Sequence, residues 1–211
     1  MLYPLFVNLQ GKRCVVIGAG LLAERRIENL YRQGAVIRVV APQATATLKQ
    51  MAAQGSIGWM RSLYSPVHLE NAFLVIAATD LREVNEAVTR DANERNMLVC
   101  CADDPGLGNY LTGASIDRGG LQIAITTSGG SPTLAAVVKS RLTAQFGPEW
   151  SNWVQLFAMV RPDIQSIPGE GKRREVVEQI LETESILALL KDGNIEAAEE
   201  AAKQCILSRL A

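Results

Sequence analysis

Several short stretches hold residue types that can do chemistry. The first is Gly18-Ala19-Gly20-Leu21-Leu22-Ala23, a G-x-G-x-x-G/A spacing that follows the apolar run "RCVVI" and opens a helix-like stretch. Gly18 permits a tight turn, Gly20 lets a diphosphate approach the backbone, and Ala23 lets the helix pack close to a sheet. Free N–H groups at the helix start then face the anion. The competing reading is a strand-to-helix turn with no ligand. An acid about 20 residues further on usually holds the adenine ribose, but here the next strand ends Val39-Val40-Ala41-Pro42-Gln43, with no carboxylate. The backbone near Pro42 and the Gln43 amide are the groups left to meet the ribose. Arg38 lies inside the strand, a poor place from which to clamp a 2′-phosphate. The spacing alone leaves NAD and NADP both open.

The second stretch is "CADDPGLGNY", which brings Asp103 and Asp104 to the end of a strand, with Pro105 fixing the turn. Adjacent residues point in different directions, so the two need not form a paired site. An aspartate beside a bound cofactor can orient substrate, move a proton or touch a metal. Asp-Asp-Pro-Gly is equally ordinary turn chemistry. The third stretch, "TTSGGSP", puts Thr127, Ser128, Gly129, Gly130 and Ser131 before a helix start, a place suited to an anionic ligand. Ser131 as a plain N-cap explains the same residues. Cys14, Cys100, Cys101 and Cys205 have no C-x-x-C spacing, and the first three sit in apolar strand-like runs, where cysteine behaves as a small buried hydrophobe. His68 is the single histidine, so a multi-histidine metal site or histidine relay has little to draw on. The sequence leaves the metal, if any, unknown.

These stretches need elements to position them. Strands are expected in "RCVVIGAG", "AVIRVVAP", "IGWMR", "AFLVIAAT" and "MLVCCA", and helices after the glycine turn, over "ATATLKQMAAQG" and over "REVNEAVTRDANERN". The strands are nearly continuous apolar runs, as in a parallel sheet covered on both faces. The fold class is therefore α/β, a Rossmann-like doubly wound parallel sheet. "ASIDRGGLQIAITT" then reads as two strands about Gly119-Gly120, and "SPTLAAVVKSRLTAQFG" as a helix with Pro132 first. That block cannot cover both faces of its small sheet, so a partner subunit or the first domain should cover it. From about Gly147 the chain reads as all-helical, with Gly193-Asn194 separating two helices. The expected division is residues 1–112, a nucleotide-binding domain; 113–147, a small α+β region; and 148–211, a helical domain.

The totals fit a buried core: 211 residues, 48% hydrophobic and 20% charged. A formal net charge of -1 gives no general attraction to nucleic acid or acidic membranes. "MLYPLFVNLQ" lacks a basic n-region and a long apolar segment, so no signal peptide is expected, nor any membrane span. A cytoplasmic protein is the expectation.

Taken in order, "YPLFVNLQGKRCVVIGAG" with "LLAERR", then "VVAP", "VIAATD" with Asn85, "DDP" with "NY", and "TTSGGSP" leading into a helix resemble the precorrin-2 dehydrogenase module of siroheme synthases. The similarity covers residues 1 to about 147 and continues more loosely to the end. The resemblance implies an NAD-binding Rossmann domain, a central dimerisation region over 113–147 and a helical C-terminal part. It implies dehydrogenation of precorrin-2 to sirohydrochlorin with NAD+ as acceptor, a homodimer, and in some members iron insertion as a sirohydrochlorin ferrochelatase. Gly18, Gly20, Leu21, Leu22, Pro42 and Gln43 would line the NAD site, Asp103 matches the family's catalytic aspartate, and Ser131 matches a serine lining the tetrapyrrole cavity. The chain departs from the usual pattern at Ala19, at Gly113-Ala114 and at Gly130, which bears on substrate and iron insertion more than on NAD.

Precorrin-2 carries many carboxylates, so an acidic protein needs local positive charge to bind it. Arg25, Arg26, Arg82, Lys139 and Arg141 are the candidates, each also readable as a solvated surface charge. The rival from another class is an NAD-dependent sensor or tetrapyrrole-binding module without catalysis. A hydroxy-acid dehydrogenase fits less well, because such enzymes often use histidine and His68 precedes the fourth strand.

Overall fold

A computed structural model describes residues 2–210, without the side chains of residues 209 and 210. The chain divides into two compact units at Thr112 and Gly113. In the first, β1 (Arg13–Ile17), β2 (Val36–Val40), β3 (Gly58–Met60), β4 (Leu74–Ala77) and β5 (Leu98–Cys101) form one sheet in the order β3-β2-β1-β4-β5. Every pairing is parallel. The crossovers carry α1 (Leu21–Arg32), α2 (Ala46–Ala53) and α3 (Arg82–Glu94). This is the strand order of an open, doubly wound parallel sheet.

The apolar runs explain why both faces are covered. Residues alternate sides along a strand. Cys14, Val16, Ile37, Val39 and Ile76 pack with Ala23, Ile27 and Leu30 of α1 and Leu48 of α2. Val15, Ile17, Val75, Ala77, Val99 and Cys101 pack on the other face with Val88 and Ala92 of α3. Burying a Val or Ile side chain contributes about 1.5–3 kcal/mol, so neither face can be left wet. Thr45 caps α2 by accepting from Leu48 N–H at 3.3 Å. Beyond β5 the chain doubles back. Asn109 lies along that strand's outer edge, its N–H donating to Val99 O and its Oδ1 accepting from Val99 N–H, both at 2.9 Å.

In the second unit, β6 (Ala114–Arg118) and β7 (Leu121–Ile125) form an antiparallel hairpin about Gly119-Gly120. It is followed by α4 (Pro132–Gln145), α5 (Trp150–Met159), α6 (Arg161–Ser166), α7 (Glu170–Glu182), α8 (Glu184–Lys191) and α9 (Ile195–Leu210). The hairpin turn lies against α5, where a Cβ on Gly120 would stand 2.7 Å from Val154 Cγ1. A helical core gathers Trp153, Leu156, Val160, Ile180, Ile186, Leu190, Ala198, Ala202 and Ile206. Gly193 (φ 75°) ends α8, and Asn194 caps α9 by accepting from Ala197 N–H at 3.2 Å. Among the described residues, no helix is long and apolar enough to cross a membrane.

Candidate active site

The sheet order reverses between β1 and β4, which sends α1 to one face and α3 to the other. Ligands of open α/β sheets bind at this point, beyond the carboxyl ends of the strands. Ala78 N–H donates to Ile17 O at 2.8 Å and Ala102 N–H to Ala77 O at 2.9 Å, so the β1, β4 and β5 ends leave the sheet side by side. Gly18 has φ 106°, and a Cβ there would overlap the Ala78 carbonyl and stand 2.9 Å from Thr79 N. Only glycine fits.

Gly20 is different. It is the N-cap of α1, with φ -79° and no side-chain capping bond, and a Cβ there would meet nothing within 4 Å. The first-turn N–H groups of a helix have no partner within it, so α1 presents uncapped donors to an open surface. That arrangement fits a diphosphate. Leu21 and Leu22 stand exposed at 72% and 45%. Pro42 and Gln43 are exposed just beyond β2. Thr45 N–H donates to Ala19 O at 3.2 Å, tying their loop to the glycine turn. The structure thus brings Gly18, Gly20, Leu21, Leu22, Pro42 and Gln43 to one end of the sheet. Ala23 is fully buried against the strands.

Asp103 and Asp104 separate. Asp103 is exposed, and its Oδ1 accepts from the Cys101 thiol at 2.9 Å. That thiol is the main cause that holds the Asp103 carboxyl below its ordinary range; partial burial opposes it, and the Asn85 amide and Arg82 add to it. In turn burial, then Asp103, pushes the Cys101 thiol up to about 11. Asp104 instead accepts from Gly106 N–H at 3.0 Å and pairs with Arg82 at 3.4 Å. Arg82 also holds Glu86 at 2.7 Å. These pairs are exposed and contribute little to stability, but they engage the Arg82 charge.

The loop after β4 is fixed by Asn85, fully buried in the first turn of α3. Its Oδ1 accepts from Thr79 N–H at 3.1 Å and Thr79 Oγ1 at 2.8 Å, and its Nδ2 donates to Thr79 O at 3.0 Å. The sequence marks Asn85 only as part of a pattern; this clamp is its physical role. The sequence gives no such signal for Cys101: Asp103 lies in the bend beyond the last residue of β5, where strand alternation no longer fixes which way a side chain points.

The other candidates lie on their own elements. His68 is buried, with Nδ1 accepting from Ser65 N–H at 3.0 Å and Nε2 3.4 Å from Ser62 Oγ, so it closes a 3-10 turn before β4. Arg25 is exposed on α1. Arg26 is half-buried, and its Nε has no hydrogen-bond partner among the described residues. Lys139 and Arg141 are exposed on α4. Ser131, in the second unit, caps α4 by accepting from Leu134 N–H at 3.1 Å. Its backbone is held by Thr127 Oγ1, which accepts from Ser131 N–H at 2.9 Å and donates to Ser131 O at 3.0 Å. Capping uses a lone pair of the Ser131 hydroxyl and leaves its proton free to donate.

Residues 5–114 match the family described as "Putative NAD(P)-binding", and residues 118–145 match "Sirohaem biosynthesis protein central". The chain is 32% identical over 98% of its length to a siroheme synthase of Methylobacillus flagellatus, covering 44% of that protein. It is 36% identical over 95% of its length to that of Xylella fastidiosa, covering 43%, and 33% identical over 94% to siroheme synthase 3 of Aeromonas hydrophila, covering 43%. The chain therefore spans less than half the length of these curated relatives. Among solved structures, SirC, precorrin-2 dehydrogenase, is similar over 96% of this chain and 100% of that one, with a TM-score of 0.75 and 26% identity.

Proposed function

This chain belongs to the NAD(P)-binding family matched over residues 5–114, and from that membership we propose that it dehydrogenates precorrin-2 to sirohydrochlorin. The end-to-end likeness to a solved precorrin-2 dehydrogenase carries the reading. When bound, NAD+ supplies the hydride acceptor. The chain's own part is to bind, orient and move a proton. The uncapped turn of α1 at Gly20 holds the diphosphate through backbone N–H groups. Leu21 and Leu22 offer apolar cover, while Pro42 and Gln43 meet the adenosine ribose without a carboxylate. Asp103 stands at the end of β5, ionised at neutral pH, and takes the proton lost when a hydride leaves the substrate. Being a weak base, it returns that proton to water. The balance is precorrin-2 and NAD+ to sirohydrochlorin, NADH and a proton.

Ser131, with its free hydroxyl proton, donates to a substrate carboxylate, and Lys139 and Arg141 on the same helix add positive charge. The reading includes a homodimer through the hairpin unit. In its support, Ala135 is the buried residue of α4, while Leu134 and Val137 are 53% and 46% exposed. It also includes a cytoplasmic setting, where NAD+ is plentiful. The names of the curated relatives extend the proposal to iron insertion, with ferrous iron as substrate and Asp103 as the base. NADH formation on adding precorrin-2 to the folded protein is the test; no NADH from protein that binds NAD+ rejects the dehydrogenase. Siroheme formed from sirohydrochlorin and ferrous iron no faster than without protein rejects the second step.

A further inference from the structure

Cys101 and Cys100 are neighbours on β5 but face opposite sides of the sheet. The Cys100 thiol donates to the Cys101 carbonyl, at 3.7 Å. Cys101 lies on the α3 face, 2% exposed, and its thiol points along the strand to Asp103 Oδ1 at 2.9 Å. A buried thiol has few ways to satisfy its hydrogen, and a carboxylate is its strongest available acceptor. Asp103 is otherwise on an exposed turn, where an aspartate would sample several rotamers.

We infer that Cys101 is a positioning residue for Asp103: its thiol holds one carboxylate oxygen and so fixes the direction of the other toward the substrate side. The inference rests on the proposed role of Asp103 in proton transfer. The other groups facing Asp103 are the Asn85 amide from α3, Arg82 at the start of α3, and neighbouring Asp104, which is turned to Arg82. Of these, the thiol is the largest influence on the carboxyl and is itself rigidly held, because β5 is paired to β4 at both Cys100 and Cys101. A valine at this position keeps the shape and removes the donor; a serine keeps a donor.

The experiment has a ligand-free arm and an activity arm, both on the full chain. In the first, the Asp103 carboxyl carbon is titrated by 13C NMR, assigned by its loss in Asp103→Asn. The expected result is a midpoint that moves up in Cys101→Val, stays low in Cys101→Ser and is unmoved in Cys100→Val. An unchanged midpoint in Cys101→Val, or an equal move in Cys100→Val, overturns the inference. In the second arm, the acidic limb of kcat/KM with precorrin-2 moves to higher pH in Cys101→Val, and kcat at neutral pH falls about tenfold, the scale of one hydrogen bond to a charged group. Cys101→Ser recovers most of both. A wild type without NADH formation would defeat the proposed function while the NMR arm still decided the thiol contact. Full activity with an unmoved limb in Cys101→Val would defeat the positioning role alone.

Discussion

Gly18 and Gly20 are two residues apart and should fail in opposite ways when given a methyl group. Alanine at 18 must hold φ near 106°, a region that costs a non-glycine residue roughly 1–2 kcal/mol. Its Cβ would also stand 2.6 Å from Ala78 C and 2.9 Å from Thr79 N, backbone atoms of the turn after β4 that the Ala78–Ile17 bond and the Asn85 amide hold in place. Overpacking against atoms that cannot yield costs about 1–3 kcal/mol more. Gly18→Ala is therefore expected to destabilise the first unit by about 2–5 kcal/mol, a large part of the ~5–15 kcal/mol typical of a domain. Alanine at 20 has no such conflict: φ is -79° and the space is open. Loss of the better N-cap, about 0.5–1 kcal/mol, is offset by about 0.4–1 kcal/mol from a less flexible unfolded chain. Gly20→Ala should stay within about 0.5 kcal/mol of the wild type by that difference. Its methyl group instead occupies the surface over which a diphosphate would lie, so NAD+ affinity should drop at least about tenfold, or 1.4 kcal/mol. Amide hydrogen exchange in β1 and β2 reads the stability of this unit, and calorimetric titration reads the cofactor. A Gly18→Ala protein as protected as the wild type, or a Gly20→Ala protein that binds NAD+ undiminished, refutes the account of the turn.

Asn85→Ala removes three hydrogen bonds to Thr79 and leaves a part-buried N–H unpaired; a loss of about 2–4 kcal/mol is expected by denaturant titration, and a loss below about 1 kcal/mol would contradict the clamp. Tyr110 OH is buried without a hydrogen-bond partner among the described residues, so Tyr110→Phe should leave stability unchanged or raise it by up to about 1 kcal/mol; a lower denaturation midpoint refutes this. The Cys14 and Cys101 thiols are raised by burial from 9.0 to about 11. A thiol raised on folding stabilises the protein below its unfolded value, and that share is lost as pH climbs from about 9 through 11. Cys14→Val should flatten the decline; an identical slope would sink the argument. Val137→Glu should convert the proposed dimer to monomer by sedimentation, and a wild type that sediments as a monomer at working concentration contradicts that proposal.

The layered architecture could be read in advance because its causes are local. Continuous runs such as Leu74–Ala77 have no polar face to turn outward, so they announce a sheet covered on both sides. Ser131 with Pro132, and Gly193 with Asn194, mark helix ends through backbone rules that act within a few residues. The glycine turn belongs to the same class. What stayed hidden depends on side-chain direction and on partners distant in sequence. Nothing in "ADDP" says that Asp103 turns to a thiol while Asp104 turns to Arg82, 22 residues earlier. His68 reads as a lone histidine with little to join, and its capture by Ser65 N–H appears only once the 3-10 turn before β4 exists. Arg26 Nε is a charged group in a half-buried place, which periodicity alone does not reveal.

The backtracking segment along β5 has a consequence for how this molecule behaves in a crowd. With a net charge of -1, mutual repulsion does little to keep copies apart. Because Asn109 already occupies the amide and carbonyl of Val99, a stray strand from another chain finds no template on that flank. The opposite flank is only the short β3, Gly58–Met60, too brief to recruit a newcomer firmly. Asn109→Ala would strip that guard, and the first sign would be turbidity on gentle warming.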